Sequence, residues 1–258
     1  MFSSSGGTIR ASPDDGIATL QALHADLVAI PEFAMKTSLT SETLAEIKNL
    51  HYNIIAVDYH EARAASLQYA VLVRGEVLEH RVHRLKNSER FVVELSVRIK
   101  NIELTVFATH LDDRSERVRQ HEVEQLCQLV NRSHGPVILL GDMNAMDGAT
   151  WRARLLRTRL MRLLATLSPS KDGYSIGGRL VEMASGKTVE AILTNTNLVS
   201  ATSPAPTISA KQVGLEWAPS TALVKIDWIF ISPDLIAESS QVYPDVGSDH
   251  RPLAALLK

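Results

Sequence analysis

Four short segments of the chain place ionisable or amide side chains at the ends of apolar runs: Pro31-Glu32, Ala108-Thr109-His110-Leu111-Asp112, Gly141-Asp142-Met143-Asn144 and Ser248-Asp249-His250-Arg251-Pro252. A fifth, Lys225-Ile226-Asp227-Trp228-Ile229-Phe230, sets one acid inside an apolar strand. A buried carboxylate is costly unless it is paired, and His250 is the natural partner for Asp227. Strand ends that converge on one rim of a sheet gather such groups into a single cleft. The collection is rich in oxygen donors and imidazole. That chemistry suits a hard cation such as Mg²⁺, which takes oxygen ligands, keeps several waters and is held by one or two carboxylates together with substrate phosphates. Glu32 and Asp249 suit that role.

The elements that must position these groups follow from hydrophobic spacing. Helices are expected over 13–24, 41–50, 115–130, 151–164 and 179–185, from apolar residues recurring at three and four positions. Val123, Leu126, Cys127 and Val130 follow that spacing, which makes Cys127 a buried structural thiol. Strands are expected over 26–32, 53–57, 67–73, 91–99, 102–109, 136–140, 224–231, 241–246 and 252–257, with 91–99 and 102–109 forming a hairpin around Lys100-Asn101. Helices and strands alternate irregularly, so mixed sheets fit better than a doubly wound parallel one. The region from Ser168 to Thr221 is the least regular and concentrates Pro, Gly and Ser.

Composition narrows the function classes. A chain of 258 residues with 45% hydrophobic content supports one globular domain over 1–258, with 1–12 irregular. The 27 basic and 29 acidic residues nearly cancel, so attraction to phosphate must be local. The single cysteine excludes an intramolecular disulfide and any multi-cysteine zinc site, and leans toward a reducing, cytoplasmic setting. No stretch approaches the roughly 18 to 20 apolar residues that span a bilayer, and Met1 to Arg10 lacks the apolar core of a secretory signal.

The order of the five segments resembles the endonuclease/exonuclease/phosphatase family, over residues 14 to 258. The resemblance implies an α/β fold, a four-layer αββα sandwich of two mixed β-sheets flanked by helices. It also implies a divalent-metal-dependent hydrolase of phosphate esters, a phosphodiesterase or nuclease using Mg²⁺, with Mn²⁺ as the alternative ion. Glu32 and Asp249 correspond to metal ligands, His250 to the catalytic histidine and Asp227 to its orienting partner. Asp142 corresponds to the group that positions or deprotonates the attacking water, Asn144 to a donor toward that water or the phosphate, and His110 to a donor toward a phosphate oxygen. Whether Asp142 or His250 removes the proton stays open at the level of sequence. Asp112, Arg117 and Gln120 resemble residues that buttress the histidine segment. Members of the family open with a strand ending in a metal-binding asparagine; Met1 to Ser12 contains no apolar strand and no asparagine, so that ligand is expected to be missing.

The partner is expected to be a phosphate ester, with nucleic acid as a candidate, and the chain a monomer. A second class of function is a family member without turnover that binds phosphate ligands or nucleic acid. His24, His51, His60, His80, His83, His121 and His134 match no family position and read as surface or structural, and Asp147 reads as a loop residue. The stretch from Trp151 to Leu164 carries Arg152, Arg154, Arg157, Arg159 and Arg162 with no acid among them. It reads as a solvated basic face packed through Leu156, Leu160, Leu163 and Leu164, or as a landing strip for a polyanion.

Overall fold

A computed structural model describes residues 13–31, 41–58, 68–167, 170–171, 174–209, 222–244 and 250–258. The helices are α1 (Pro13–Leu23), α2 (Ser41–Asn49), α3 (Glu116–Val130), α4 (Trp151–Leu156), α5 (Arg159–Thr166), α6 (Ile176–Met183) and α7 (Lys187–Asn195). The strands begin with β1 (Leu27–Ile30), β2 (Asn53–Asp58), β3 (Gln68–Val73), β4 (Glu76–Arg84), β5 (Phe91–Ile99), β6 (Ile102–His110) and β7 (Val137–Asp142). They continue with β8 (Ser170–Lys171), β9 (Tyr174–Ser175), β10 (Val199–Ser200), β11 (Ile208–Ser209), β12 (Ala222–Val224), β13 (Asp227–Ile231), β14 (Ala237–Val242) and β15 (Leu253–Leu257).

Six strands form one sheet in the order β10-β13-β7-β6-β5-β4, mixed because β6 and β7 run parallel while the other pairs are antiparallel. A second layer holds the antiparallel set β1-β3-β2 and the hairpin β14-β15. Side chains that alternate along each strand sort into the layers. Val93, Leu95 and Val97 of β5 and Ile138 and Leu140 of β7 meet Tyr69, Val71 and Val73 of β3 between the sheets. Val92, Phe107, Leu139 and Phe230 point the other way, onto Val123, Leu126 and Cys127 of α3 and Val189 and Ile192 of α7. On the far side Ala70 and Leu72 pack under Ile17, Leu20 and Ile47 of α1 and α2. The result is the expected order of helix, sheet, sheet, helix.

The structure departs from the sequence reading in places that have a physical cause. The hairpin β5-β6 turns at Lys100-Asn101, as read from sequence, and the structure shows both residues at positive φ. The strand β4 was not expected, because most of its residues are exposed and carry no apolar alternation; among the described residues it is the charged outer edge of the six-stranded sheet, a means by which such sheets avoid further pairing. The expected helix over 151–164 is two helices, broken where Thr158 turns to extended backbone and caps α5 by accepting from the Met161 amide. The buttress of the histidine segment is Arg119 rather than Arg117: Arg119 is fully buried and donates to Glu116 and to the Asp112 carbonyl, at 2.9 and 2.8 Å. Arg117 is exposed. Gln120 contributes by donating to Glu116 at 3.1 Å, and Glu122 accepts from the Asp112 amide at 2.8 Å.

Candidate active site

Register brings the chemistry together. His110 ends β6 beside Asp142, which ends β7, and Asp142 in turn lies opposite Asp227, which begins β13. Three adjacent strands thus line up one imidazole and two carboxylates across one end of the sheet. His250 joins them from the C-terminal segment, where it bridges to Ile208. Its Nδ1 lies 2.9 Å from Asp227 Oδ2 and 3.0 Å from Oδ1. Its Nε2 lies 3.8 Å from Asp142 Oδ2, and His110 Nε2 approaches the same oxygen at 3.5 Å. Asp142 therefore sits between two imidazoles. Asp227 was expected inside a strand, but the chain breaks at Lys225-Ile226 and leaves it as the half-buried first residue of β13.

The Gly-Asp-x-Asn segment has a steric logic. Gly141 takes φ 141°, and a Cβ there would lie 1.9 Å from the Thr109 carbonyl oxygen, so no other residue fits between β6 and β7. Asp142 Oδ1 accepts from the Asn144 amide at 2.8 Å, and Asn144 adopts φ 47°, a left-handed conformation that asparagine tolerates. One N–H of the Asn144 side chain is spent on the Leu111 carbonyl at 2.9 Å; the other is left for water or phosphate. Trp228 fixes the following residues by donating its indole N–H to the Ala145 carbonyl at 2.8 Å. Lys225 lies over that indole at 3.7 Å and donates to Thr202 Oγ1 at 2.7 Å, its ammonium pushed down to about 8 by burial. Gly141→Ala is expected to cost at least about 3 kcal/mol of stability, from backbone strain and the forced separation of two central strands. Denaturant unfolding checks it, and a loss under about 1 kcal/mol would mean that the strands separate at little cost.

Electrostatics sharpen the cluster. Burial raises the Asp142 carboxyl well above the usual carboxylate range, and the Asp227 charge adds to that while His250, the Asn144 amide and Arg90 oppose it. Burial, with help from Arg90 and His250, holds His110 well below the ordinary imidazole range, so it is neutral near pH 7. Arg90 was missed in the sequence. It stands directly before β5, ion-paired to Asp113 at 3.0 Å, and its only sequence signal is a cation at the mouth of a buried strand.

Ligand oxygens of Asp142 and Asp227 and a ring nitrogen of His250 lie within 4.8 Å of one another. Two carboxylates this close, one of them deeply buried, fit a divalent cation that would offset their repulsion. The residues to which the resemblance assigns the metal, Glu32 and Asp249, lie outside the described residues, as do residues 1–12. In sequence Glu32 follows Pro31 just after β1, and Asp249 adjoins His250.

Beside the cluster, Asp113 also pairs with Arg179 at 3.0 Å. Arg179, Arg114 and Arg162 line a cleft of about 450 Å³ together with Ser115, Ser175 and Glu182. The lining holds three guanidinium groups and the Glu182 carboxylate, and two of those guanidinium groups, of Arg179 and Arg114, are paired with Asp113.

Comparison with known proteins agrees with the geometry. No curated protein matches the sequence significantly. An endonuclease/exonuclease/phosphatase from Bacteroides vulgatus is similar in structure, with a TM-score of 0.67 at 16% identity over 96% of this chain and 90% of that one. An AP endonuclease from Archaeoglobus fulgidus has a TM-score of 0.67 at 13% identity, over 95% of each chain. A mannosyl-6-phosphatase from Bacteroides thetaiotaomicron has 0.61 at 16%, over 95% of this chain and 90% of that one. At such identities these likenesses speak for the fold. The family model for the endonuclease/exonuclease/phosphatase family matches residues 14–250, nearly the whole chain, and the protein belongs to that family.

Proposed function

We propose that the protein is a divalent-metal-dependent hydrolase of phosphate esters, a phosphodiesterase with nucleic acid among its candidate substrates, acting by in-line attack of water on phosphorus. Family membership supports a phosphoesterase or nuclease, as do the structural neighbours named as a mannosyl-6-phosphatase and an AP endonuclease. The observation that carries the reading is the buried Asp142 carboxylate between two imidazoles, one of them backed by Asp227.

In this reading Asp142 takes the proton of the attacking water, because burial has raised its proton affinity toward the range useful for a base at neutral pH. Asp227 holds Nδ1 of His250, fixes the ring orientation and favours its charged form, so that Nε2 donates to a phosphoryl oxygen. His110, neutral, offers a hydrogen bond to another oxygen, and the free N–H of Asn144 orients the water. A divalent cation held by Glu32 and Asp249 would neutralise charge on the non-bridging oxygens and the leaving alkoxide. No covalent enzyme intermediate is required.

The test is hydrolysis of a bis-aryl phosphodiester, abasic DNA, RNA and a sugar monophosphate with Mg²⁺ or Mn²⁺, before and after chelation. Turnover of at least one ester, abolished by chelator and restored by metal, is expected. Saturable binding without turnover of any of them would favour a phosphate-binding module instead.

A further inference from the structure

The helices α4 and α5 are packed inside out. Each turns an alanine toward the body of the protein, Ala153 and Ala165, both buried. Each turns its largest apolar side chains to solvent. Trp151 and Leu155, four residues apart, share the outer face of α4, and Leu160, Leu163, Leu164 and Leu167 form one stripe along α5. These six side chains are between 48% and 77% exposed, where a core-facing stripe would be near zero. The expectation that the leucines pack inward holds only for Leu156, which lies against Met146 and Leu180. Exposed apolar stripes of this kind on neighbouring helices mark an interaction surface.

Charge selects the occupant. From Trp151 to Leu167 there is no acidic residue. Arg152, Arg154 and Arg159 flank the apolar stripe, Arg152 lying over the Trp151 ring at 5.0 Å. Arg157 is not available to a partner, since it braces the carbonyls of Gly148 and Ser185 at 2.8 and 3.2 Å. A second copy docking on this face would set arginines against arginines. A nucleic acid would satisfy the arginines and leave the leucines and tryptophan in water. An anionic bilayer satisfies both, because apolar side chains enter the boundary between headgroups and acyl chains while arginines reach the headgroup phosphates. The helices have six and eight residues, too short to span.

We propose that α4 and α5 form an interfacial docking surface for an anionic lipid bilayer, holding the protein on the membrane plane. The surface shares no residue with the catalytic cluster, so its binding does not depend on turnover.

Vesicle co-sedimentation tests it, with phosphatidylcholine alone and with phosphatidylcholine containing about a third phosphatidylglycerol. The parent chain should partition onto the anionic vesicles and lose binding as salt rises, with a blue shift in tryptophan emission that Trp151→Phe removes. L160S/L163S/L167S should bind at least about tenfold more weakly, and R152Q/R154Q/R159Q should bind more weakly with a flatter salt dependence. The leucine variant alters exposed side chains and the arginine variant side chains that are exposed or, at Arg152, half-buried, and unchanged circular dichroism and melting would show that the fold is kept. The proposal is overturned if the parent ignores anionic vesicles, if the leucine variant binds as well as the parent, if the arginines serve only nucleic acid, or if the leucines instead mediate a dimer.

Discussion

Asp142→Asn is expected to slow hydrolysis by about 10³-fold or more, the scale of losing a general base from a preorganised site, while making the metal-free protein more stable. The activity falls because an amide cannot take a proton from water. Stability rises because the buried carboxylate is a burden: burial and the neighbouring Asp227 charge both raise its proton affinity in the folded state. The asparagine oxygen can keep the hydrogen bond from the Asn144 amide. The sign over pH follows. A folded value above the unfolded one gives a contribution that is complete below about pH 4 and is lost as the pH rises toward the folded value. In chelator, the parent and Asp142→Asn should melt together at the acid end and separate as the pH climbs to neutrality, with the variant ahead by on the order of a few degrees. A variant that melts below the parent at pH 7 would show that the carboxylate is already compensated.

The second large effect concerns Asp227 and His250. Asp227→Asn should reduce turnover by roughly 10²–10⁴-fold, as when the carboxylate behind a catalytic imidazole is neutralised, and His250→Ala should cost at least as much. Both side chains keep some contact with solvent, 17% and 23% exposed, so folding should survive either change. What separates a positioning role from two unrelated losses is coupling. Asp227 acts through His250, so the double variant should lose no more than His250→Ala alone. Losses that multiply would show that Asp227 serves the reaction by another route.

The residues proposed to carry this chemistry stood out in sequence because their segments lie at the ends of apolar runs. Gly141 is demanded by its approach to Thr109, Asn144 by its left-handed backbone, and His110 by its place at the end of a buried strand. The alignment of His110, Asp142 and Asp227 was not legible, since it is set by the register of strands far apart in sequence. Arg119 could have been found: the stripe Val123, Leu126, Cys127 and Val130, continued back by one turn and then a second, lands on 119 and then 116 and passes over 117. The break between α4 and α5 was masked because Leu156, Leu160, Leu163 and Leu164 keep helical spacing across it. Leucine spacing also said nothing about which side of those helices faces water; only the buried Ala153 and Ala165 reveal that. Strand β4 was invisible for the opposite reason, having no apolar face to read.

The central claim is that water attacks phosphorus at the cluster built around Asp142. It is tested most directly by hydrolysing a phosphate diester in ¹⁸O-labelled water with Mg²⁺ and reading the label in the products of the parent and of Asp142→Asn. The account predicts one ¹⁸O in the phosphate-bearing product and none in the released alcohol, formed by the parent at a rate that the variant loses. Label in the alcohol, or labelled phosphate formed equally fast by both proteins, would contradict it.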